Sequence, residues 1–440
     1  MPVFPSGFVW GAATAAYQIE GAVHEGGRGE NIWDRFCRQP GRIRDGSSGE
    51  VACDHYRRYA EDIALMGDLG VGAYRFSIAW PRLFPAGKGP LNRQGLDFYD
   101  RLVDGLCEAG ITPFATLYYW DLPQELQARG GWTNRDTIPR FVDYACAAAE
   151  RLGDRVQDFI LMNEISVAAW RGHATGIHAP GIADARAFLA ATHHMNLAQG
   201  EAIRAMRGES SRWRLGSALN LMPVDPADDS IGAADAADLV DAFWNGSVID
   251  PLIHGRYPEI VAGRFQPFVQ EDDMERIRQK VDFIGLNHYS RAYARQDPDQ
   301  PLGVGMVAPP DDRPTTAMGW RIDGGGFRET LMRLKEDYGN PPVHVTENGA
   351  AFDDIVDADG RISDPARIAF LEEYLSALGQ AIEAGCDVRS YFVWSLMDNF
   401  EWAEGYTKRF GLVHVDYATQ KRTPKDSFGW YARLTREGRF

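Results

Sequence analysis

Residues 54–78 read DHYRRYAEDIALMGDLGVGAYRFSI. Tyr56, Tyr59, Ile63 and Met66 share one face at helical spacing, with Asp54 placed to cap the helix and Gly70 to stop it. The run 71–78 that follows is strand-like. The same unit then repeats. Leu96, Tyr99, Val103 and Leu106 share a helix face, Gly110 stops it, and 111–118 reads as the next strand. Further strand candidates are 156–162, 214–219, 281–286, 343–346 and 388–394, and one near 8–13 brings the count to eight. Eight strands alternating with helices predict parallel pairing in an α/β fold, a closed (β/α)8 TIM barrel forming one domain over 1–440. A doubly wound open sheet is the rival, but no GxGxxG follows the first strand. The polar stretches 222–235 and 295–327 are too long for simple connections. They read as insertions after the fifth and sixth strands, elaborating the βα loops of the active-site face.

Composition narrows the function classes. Lys and Arg number 46 against 62 Asp and Glu, a net charge of −16, which points away from nucleic acid. Aromatic residues make up 12% and include 12 Trp, fitting either a large core or surfaces that stack on flat ligands such as sugar faces. Five scattered cysteines form no CxxC pair, so reduced, mostly buried thiols are expected and neither a zinc site nor a disulfide framework. The stretch from residue 1 to 22 lacks a basic segment and a long apolar run, so neither a secretory leader nor a membrane span is expected, and the location expected is cytoplasmic. The adjacent pair His193 and His194 cannot face one metal from a helix, and GGRGEN at 26–31 lacks the Lys-Ser/Thr of a phosphate loop.

In such a barrel, polar residues at the carboxyl ends of strands are the candidates for chemistry. Arg75 lies in the second strand. Asn163 and Glu164 close the fourth in LMNEIS, Asn287 and Tyr289 the sixth in FIGLNHYS, and Glu347 the seventh in VHVTENGA; Trp394 sits on the eighth. Two glutamates on different strands can pair across the barrel mouth. Glycoside hydrolysis needs such a pair, one carboxyl protonated to serve the leaving oxygen and one ionised to meet the developing cation. Spacing alone leaves a structural, salt-bridged role open for each.

The motifs go further. GFVWGAATAAYQIEGA at 7–22, NIWDRF, DHYRRYAEDI, YRFSIAWPRLFP, LYYWDLPQEL, GIHAPG, FIGLNHYS, TENGA, WSLMDNFEWAEGYTKRFGLVHVDY and KRTPKDS occur in order over nearly the whole length. In these the chain resembles glycoside hydrolase family 1, the β-glucosidase family. The resemblance implies a retaining, exo-acting β-glycosidase, most simply a β-glucosidase, that takes a small-molecule glycoside and needs no cofactor or metal. It implies Glu164 as acid/base, Glu347 as nucleophile, and Arg75 and Tyr289 as groups that favour the ionised nucleophile. Gln18, Glu401 and Trp402 resemble the binders of the far hydroxyls. Asn163 resembles the partner of the 2-hydroxyl, Asn287 a further sugar-site residue, Trp394 the platform under the sugar and Trp320 the aglycone wall. His178 in GIHAPG reads as loop architecture. Glu401, as a carboxylate, implies unphosphorylated sugars.

Three departures stand out. Tyr119 replaces the family's usual histidine, which bonds the 3-hydroxyl, so a modified or non-glucose glycone is one alternative. Ile165 replaces a proline after the acid/base, which predicts a looser loop. RIDGGGF at 321–327 replaces a more rigid run, which predicts mobility and a wider aglycone side. A transglycosylase would use the same residues, and a sugar-binding pseudoenzyme the same fold.

Overall fold

The computed structural model describes residues 4–310 and 312–440. Met1 to Val3, at the head of the stretch read as neither leader nor span, and Asp311, inside the second expected insertion, lie outside the described residues. Eight strands make the central sheet: β1 (Val9–Ala13), β2 (Ala73–Ser77), β3 (Thr112–Tyr118), β4 (Asp158–Asn163), β5 (Arg214–Asn220), β6 (Phe283–Asn287), β7 (Val343–Asn348) and β8 (Val388–Trp394). They close in the order β1-β8-β7-β6-β5-β4-β3-β2, and each neighbouring pair is parallel. This is the expected (β/α)8 TIM barrel, and no strand boundary moves by more than two residues from its expected place.

The lower barrel is filled by rings. Phe114 meets Phe392 edge-on at 5.0 Å, and His344 packs on Phe114 at 5.5 Å and Phe283 at 4.8 Å. Glycines make room for them. A Cβ on Gly11 would lie 2.4 Å from Phe392, and one on Gly216 would lie 2.4 Å from Phe283. Large rings opposite missing side chains fill a tapering interior. Each edge-on pair adds about 0.5–1.5 kcal/mol beyond its burial. With the base plugged, the polar strand ends above it face only the upper opening.

Several local expectations change. Gly70 ends the helix His55–Leu69 in the left-handed conformation as expected, but Asp54 does not cap it. Its own backbone is left-handed (φ 52°), and its carboxylate pairs with Arg57 and Arg58 instead. The two insertions are ordered against each other: Val224–Pro226, Ala292–Gln296 and Val304–Val307 form a three-stranded sheet. Arg291 ties them together, bonding Asp225 at 3.0 Å, Asp323 at 2.8 Å and Glu329 at 2.6 Å. The glycine run is not a mobile loop but the first turn of the helix Gly324–Asp337. Gly324 donates its N–H to Glu373 Oε1 at 2.8 Å, and a Cβ on Gly326 would stand 2.8 Å from Asp323. Close approach, not freedom, asks for glycine there.

All five cysteines are unpaired, but only Cys53 and Cys386 are buried and Cys107 is exposed, so the thiols are less hidden than expected. His193 bonds Tyr257 and Asp273, and His194 bonds the Trp132 carbonyl. Among the described residues no cluster of three His, Cys, Asp or Glu could hold a metal, and no helix is long and apolar enough to cross a membrane.

Candidate active site

The strand ends converge on a pocket of about 580 Å³ at the upper mouth, lined by Tyr119, Glu164, Tyr289, Trp320, Glu347, Trp394, Glu401 and Trp402 among others. That volume suits a small ligand. Glu347, at the end of β7, is buried and receives three donors. Arg75 Nη1 reaches Oε1 at 2.5 Å, Tyr119 Oη reaches the same oxygen at 2.9 Å, and Tyr289 Oη reaches Oε2 at 2.5 Å. Arg75 is itself fixed from the barrel wall. Its Nε donates to Thr116 Oγ1 at 3.1 Å, and its Nη2 donates to Asn163 Oδ1 at 2.6 Å. Charge-assisted bonds of this kind favour an anion at Glu347.

Glu164 is the opposite case. It follows β4 directly, in a left-handed backbone conformation (φ 50°), with its N–H held by the Ala218 carbonyl at 2.8 Å. Such a conformation costs about 1–3 kcal/mol in a non-glycine residue and recurs at functional sites. Among the described residues no cation pairs with its carboxyl; Asn220 Nδ2 and Asn287 Nδ2 each donate to Oε1 at 2.9 Å. Burial first, then the charge of Glu347, push Glu164 up to about 8. At neutral pH it therefore holds its proton, and with Oε1 occupied by the two amides, Oε2 is the oxygen left to carry it. One carboxyl sits among charge-assisted donors and its neighbour among neutral amides.

Asn163 Nδ2, a donor, and Gln18 Oε1, an acceptor, are among the buried polar atoms with no partner among the described residues. Gln18 is oriented by donating its amide to Asn399 Oδ1 and the Phe400 carbonyl, both at 2.9 Å. Buried polar groups are normally satisfied, and a polar ligand beside Glu164 and Glu401 would complete these two. Glu401 lies beside Gln18 Nε2 at 3.4 Å, and burial followed by Glu347 and Glu164 pushes its carboxyl up to about 8. Trp394 and Trp402 wall the pocket, each nearly parallel to Tyr119 with centroids about 6 Å from its ring. Trp320 also lines the pocket and packs on Tyr289 at 5.3 Å.

The pattern of the family described as "Glycosyl hydrolase family 1" matches residues 1–440. The chain belongs to glycosyl hydrolase family 1. Beta-glucosidase A of Thermotoga maritima is 46% identical over 437 residues, covering 98% of each chain. Thermostable beta-glucosidase B of Thermobispora bispora is 49% identical over 98% of this chain and 90% of its own. The structure of the Thermotoga maritima β-glucosidase in complex with glucoimidazole aligns over 100% of both chains, at 44% identity and a TM-score of 0.95.

Within this family 1 enzyme some residues stand differently from expectation. Asn287 spends both amide hydrogens on Glu164 Oε1 and Asn163 Oδ1 while its oxygen accepts from Thr346 Oγ1, so it orients the site from behind. Ile165 does not loosen the chain after Glu164. It is buried and opens the helix Ile165–Ala169, whose Ala168 N–H bonds the Glu164 carbonyl at 3.0 Å. His178 is more than loop architecture, since it lines the pocket with its ring 5.6 Å from that of Trp120. Asn220, a partner of Glu164, was missed, although it closes β5 as Asn163 closes β4.

Proposed function

We propose that this chain is a retaining, exo-acting β-glucosidase that hydrolyses unphosphorylated β-glucosides through a covalent glycosyl-enzyme. The observation that carries the reading is the unequal setting of two neighbouring carboxyls: three donors, one cationic, on Glu347, and two neutral amides on a protonated Glu164. In this mechanism Glu347 attacks the anomeric carbon while Glu164 gives its proton to the departing oxygen. Esterification removes the charge of Glu347, the second-largest cause of the raised Glu164 value. Glu164, deprotonated by its transfer to the leaving group, therefore stays ionised and draws a proton from the incoming water. Carboxyls about 5–5.5 Å apart serve this retaining course.

The substrate follows from the pocket and the relatives. The relatives are named β-glucosidases, and one related structure holds glucoimidazole. Asn163 Nδ2 and Gln18 Oε1 supply one donor and one acceptor for sugar hydroxyls, with Glu401 beside them and Trp394 as a stacking face. Glu401, a carboxyl beside Gln18, accepts neutral hydroxyls and offers a phosphate no cationic partner. The enzyme is read as a single domain that acts without metal or cofactor. A cytoplasmic place is consistent with five unpaired thiols.

The test is a nitrophenyl β-glucoside followed by NMR. The first sugar formed is expected to be the β-anomer, and the 6-phosphate of the same substrate is expected to react at least about 100-fold more slowly, ~2.7 kcal/mol of discrimination. An α-anomer as first product, or equal rates on the two substrates, would refute the reading. The amides on Glu164 supply a second check. Asn220 stabilises the ionised form of Glu164, so Asn220→Ala should move the alkaline limb of kcat/KM upward by about one pH unit, one charge-assisted bond's worth. A limb that stays in place or moves down would remove Asn220 from this role.

A further inference from the structure

We propose that Tyr119 is a catalytic hydrogen-bond donor specific to the second half-reaction, holding the oxygen of Glu347 that becomes the ester carbonyl. The inference rests on the reading of Glu347 as nucleophile. Each carboxylate oxygen offers two lone pairs in the carboxylate plane. Arg75 at 2.5 Å and Tyr119 at 2.9 Å both bond Oε1, while Oε2 holds only Tyr289 at 2.5 Å. Oε2 therefore keeps a lone pair for the anomeric carbon and is the oxygen that attacks. Oε1 becomes the carbonyl of the glycosyl ester, still carrying Tyr119 and Arg75.

A donor in that position acts unequally on the two steps. Its bond is strong to a carboxylate and roughly half as strong to a neutral ester carbonyl. It weakens as the glycosyl ester forms, which opposes the first step. It strengthens as the ester breaks, which assists the second. In that second step a water oxygen bonds to the anomeric carbon and its proton passes to Glu164. The bond between that carbon and Oε2 breaks, and its electron pair returns to the Glu347 carboxylate.

The phenol is built to stay in place. The Tyr119 ring is 3% exposed, lies within 15° of parallel to both Trp394 and Trp402, and has the Arg75 guanidinium 5.7 Å from its centroid. Burial, then the charges of Glu347 and Glu164, hold its hydroxyl well above the usual tyrosine range, so it remains a donor at every working pH. The histidine usual at this position in the family bonds the sugar. The tyrosine of this chain directs its hydroxyl to the nucleophile instead.

Tyr119→Phe removes the hydroxyl and keeps the ring. The full-length enzyme and the variant are each inactivated with 2,4-dinitrophenyl 2-deoxy-2-fluoro-β-glucoside, the labelled peptide is mapped, and recovery of activity in buffer is timed. With the label on Glu347, recovery in Tyr119→Phe is expected to be about 10-fold slower, the difference between a charge-assisted and a neutral bond or ~1.4 kcal/mol. On the activated dinitrophenyl glucoside kcat, set by the second step, should fall by the same factor, while kcat/KM, set by the first, stays level or rises. Tyr119→His, whose shorter ring falls short of Glu347, should split the two parameters the same way and serves if the phenylalanine variant does not fold. Label on Glu347 with unchanged recovery, or an equal fall in kcat and kcat/KM, overturns the inference and leaves the nucleophile standing. Label on another residue overturns both.

Discussion

Glu347→Gly is expected to lower kcat/KM on aryl β-glucosides at least about 10⁵-fold, ~7 kcal/mol of transition-state stabilisation. The loss is large because no other group can form the ester. Glu164 is protonated and held by two amides, and Glu401, also pushed up to about 8, lies across the sugar site beside Gln18. The substitution has a structural consequence too. Arg75 is 1% exposed and loses its only carboxylate partner among the described residues, keeping Asn163 Oδ1, Thr116 Oγ1 and the Thr346 carbonyl. An uncompensated buried cation costs about 3–5 kcal/mol, so a lower melting temperature is expected as well. Azide separates the two effects. As a small anion it can enter the space left by the side chain, pair with Arg75 and attack from the same face. With a dinitrophenyl glucoside it should restore turnover and yield the α-glycosyl azide. Glu347→Gln, which keeps the bulk, should stay inactive with azide present. A glycine variant that folds, binds substrate and retains more than about 1% activity would refute Glu347 as nucleophile.

The barrel was legible because its cues are local and repeated. Apolar runs followed by helical stripes ending at glycines such as Gly70 place all eight strands within two residues. Asp54 shows where local cues stop: the residue type suits a cap, but its left-handed backbone turns the carboxylate away to two arginines. The glycines at 324–326 show the same limit. Their freedom is visible in sequence, while the Glu373 and Asp323 side chains that demand their smallness come from elsewhere in the chain. In the site, Glu164 and Glu347 were readable from strand-end position. What each one bonds was not, because Asn220, Asn287 and Arg75 come from three further strands and meet the two glutamates only when the barrel closes. Tyr119 is the sharpest instance. Sequence marks it as a substitution in a sugar-binding position, and only the closed barrel brings its hydroxyl to Glu347.

Glu164→Gln is the second large effect, and it divides by leaving group. A phenyl glucoside needs a proton on its departing oxygen, so kcat/KM should fall on the order of 10³-fold. A dinitrophenolate leaves unaided, so kcat/KM on that glucoside should fall less than about 10-fold. In the parent enzyme activity should decline as pH rises through about 8, where Glu164 loses its proton, and this limb should be absent in the variant. Stability should move the other way. The folded value of about 8 lies above the ordinary glutamate value of about 4.3, so below that lower value both states hold the proton and the site has no influence. Between the two values the unfolded chain ionises while the folded carboxyl stays protonated. The parent therefore loses stability steadily across that window, and the loss is complete above it. Glutamine is neutral throughout and still offers Oε1 to Asn220 and Asn287. The melting temperature of Glu164→Gln relative to the parent should therefore rise from pH 5 to pH 8. A constant difference, or one that shrinks with pH, would mean that Glu164 is ionised in the free enzyme, and the acid for the first step would have to be sought elsewhere.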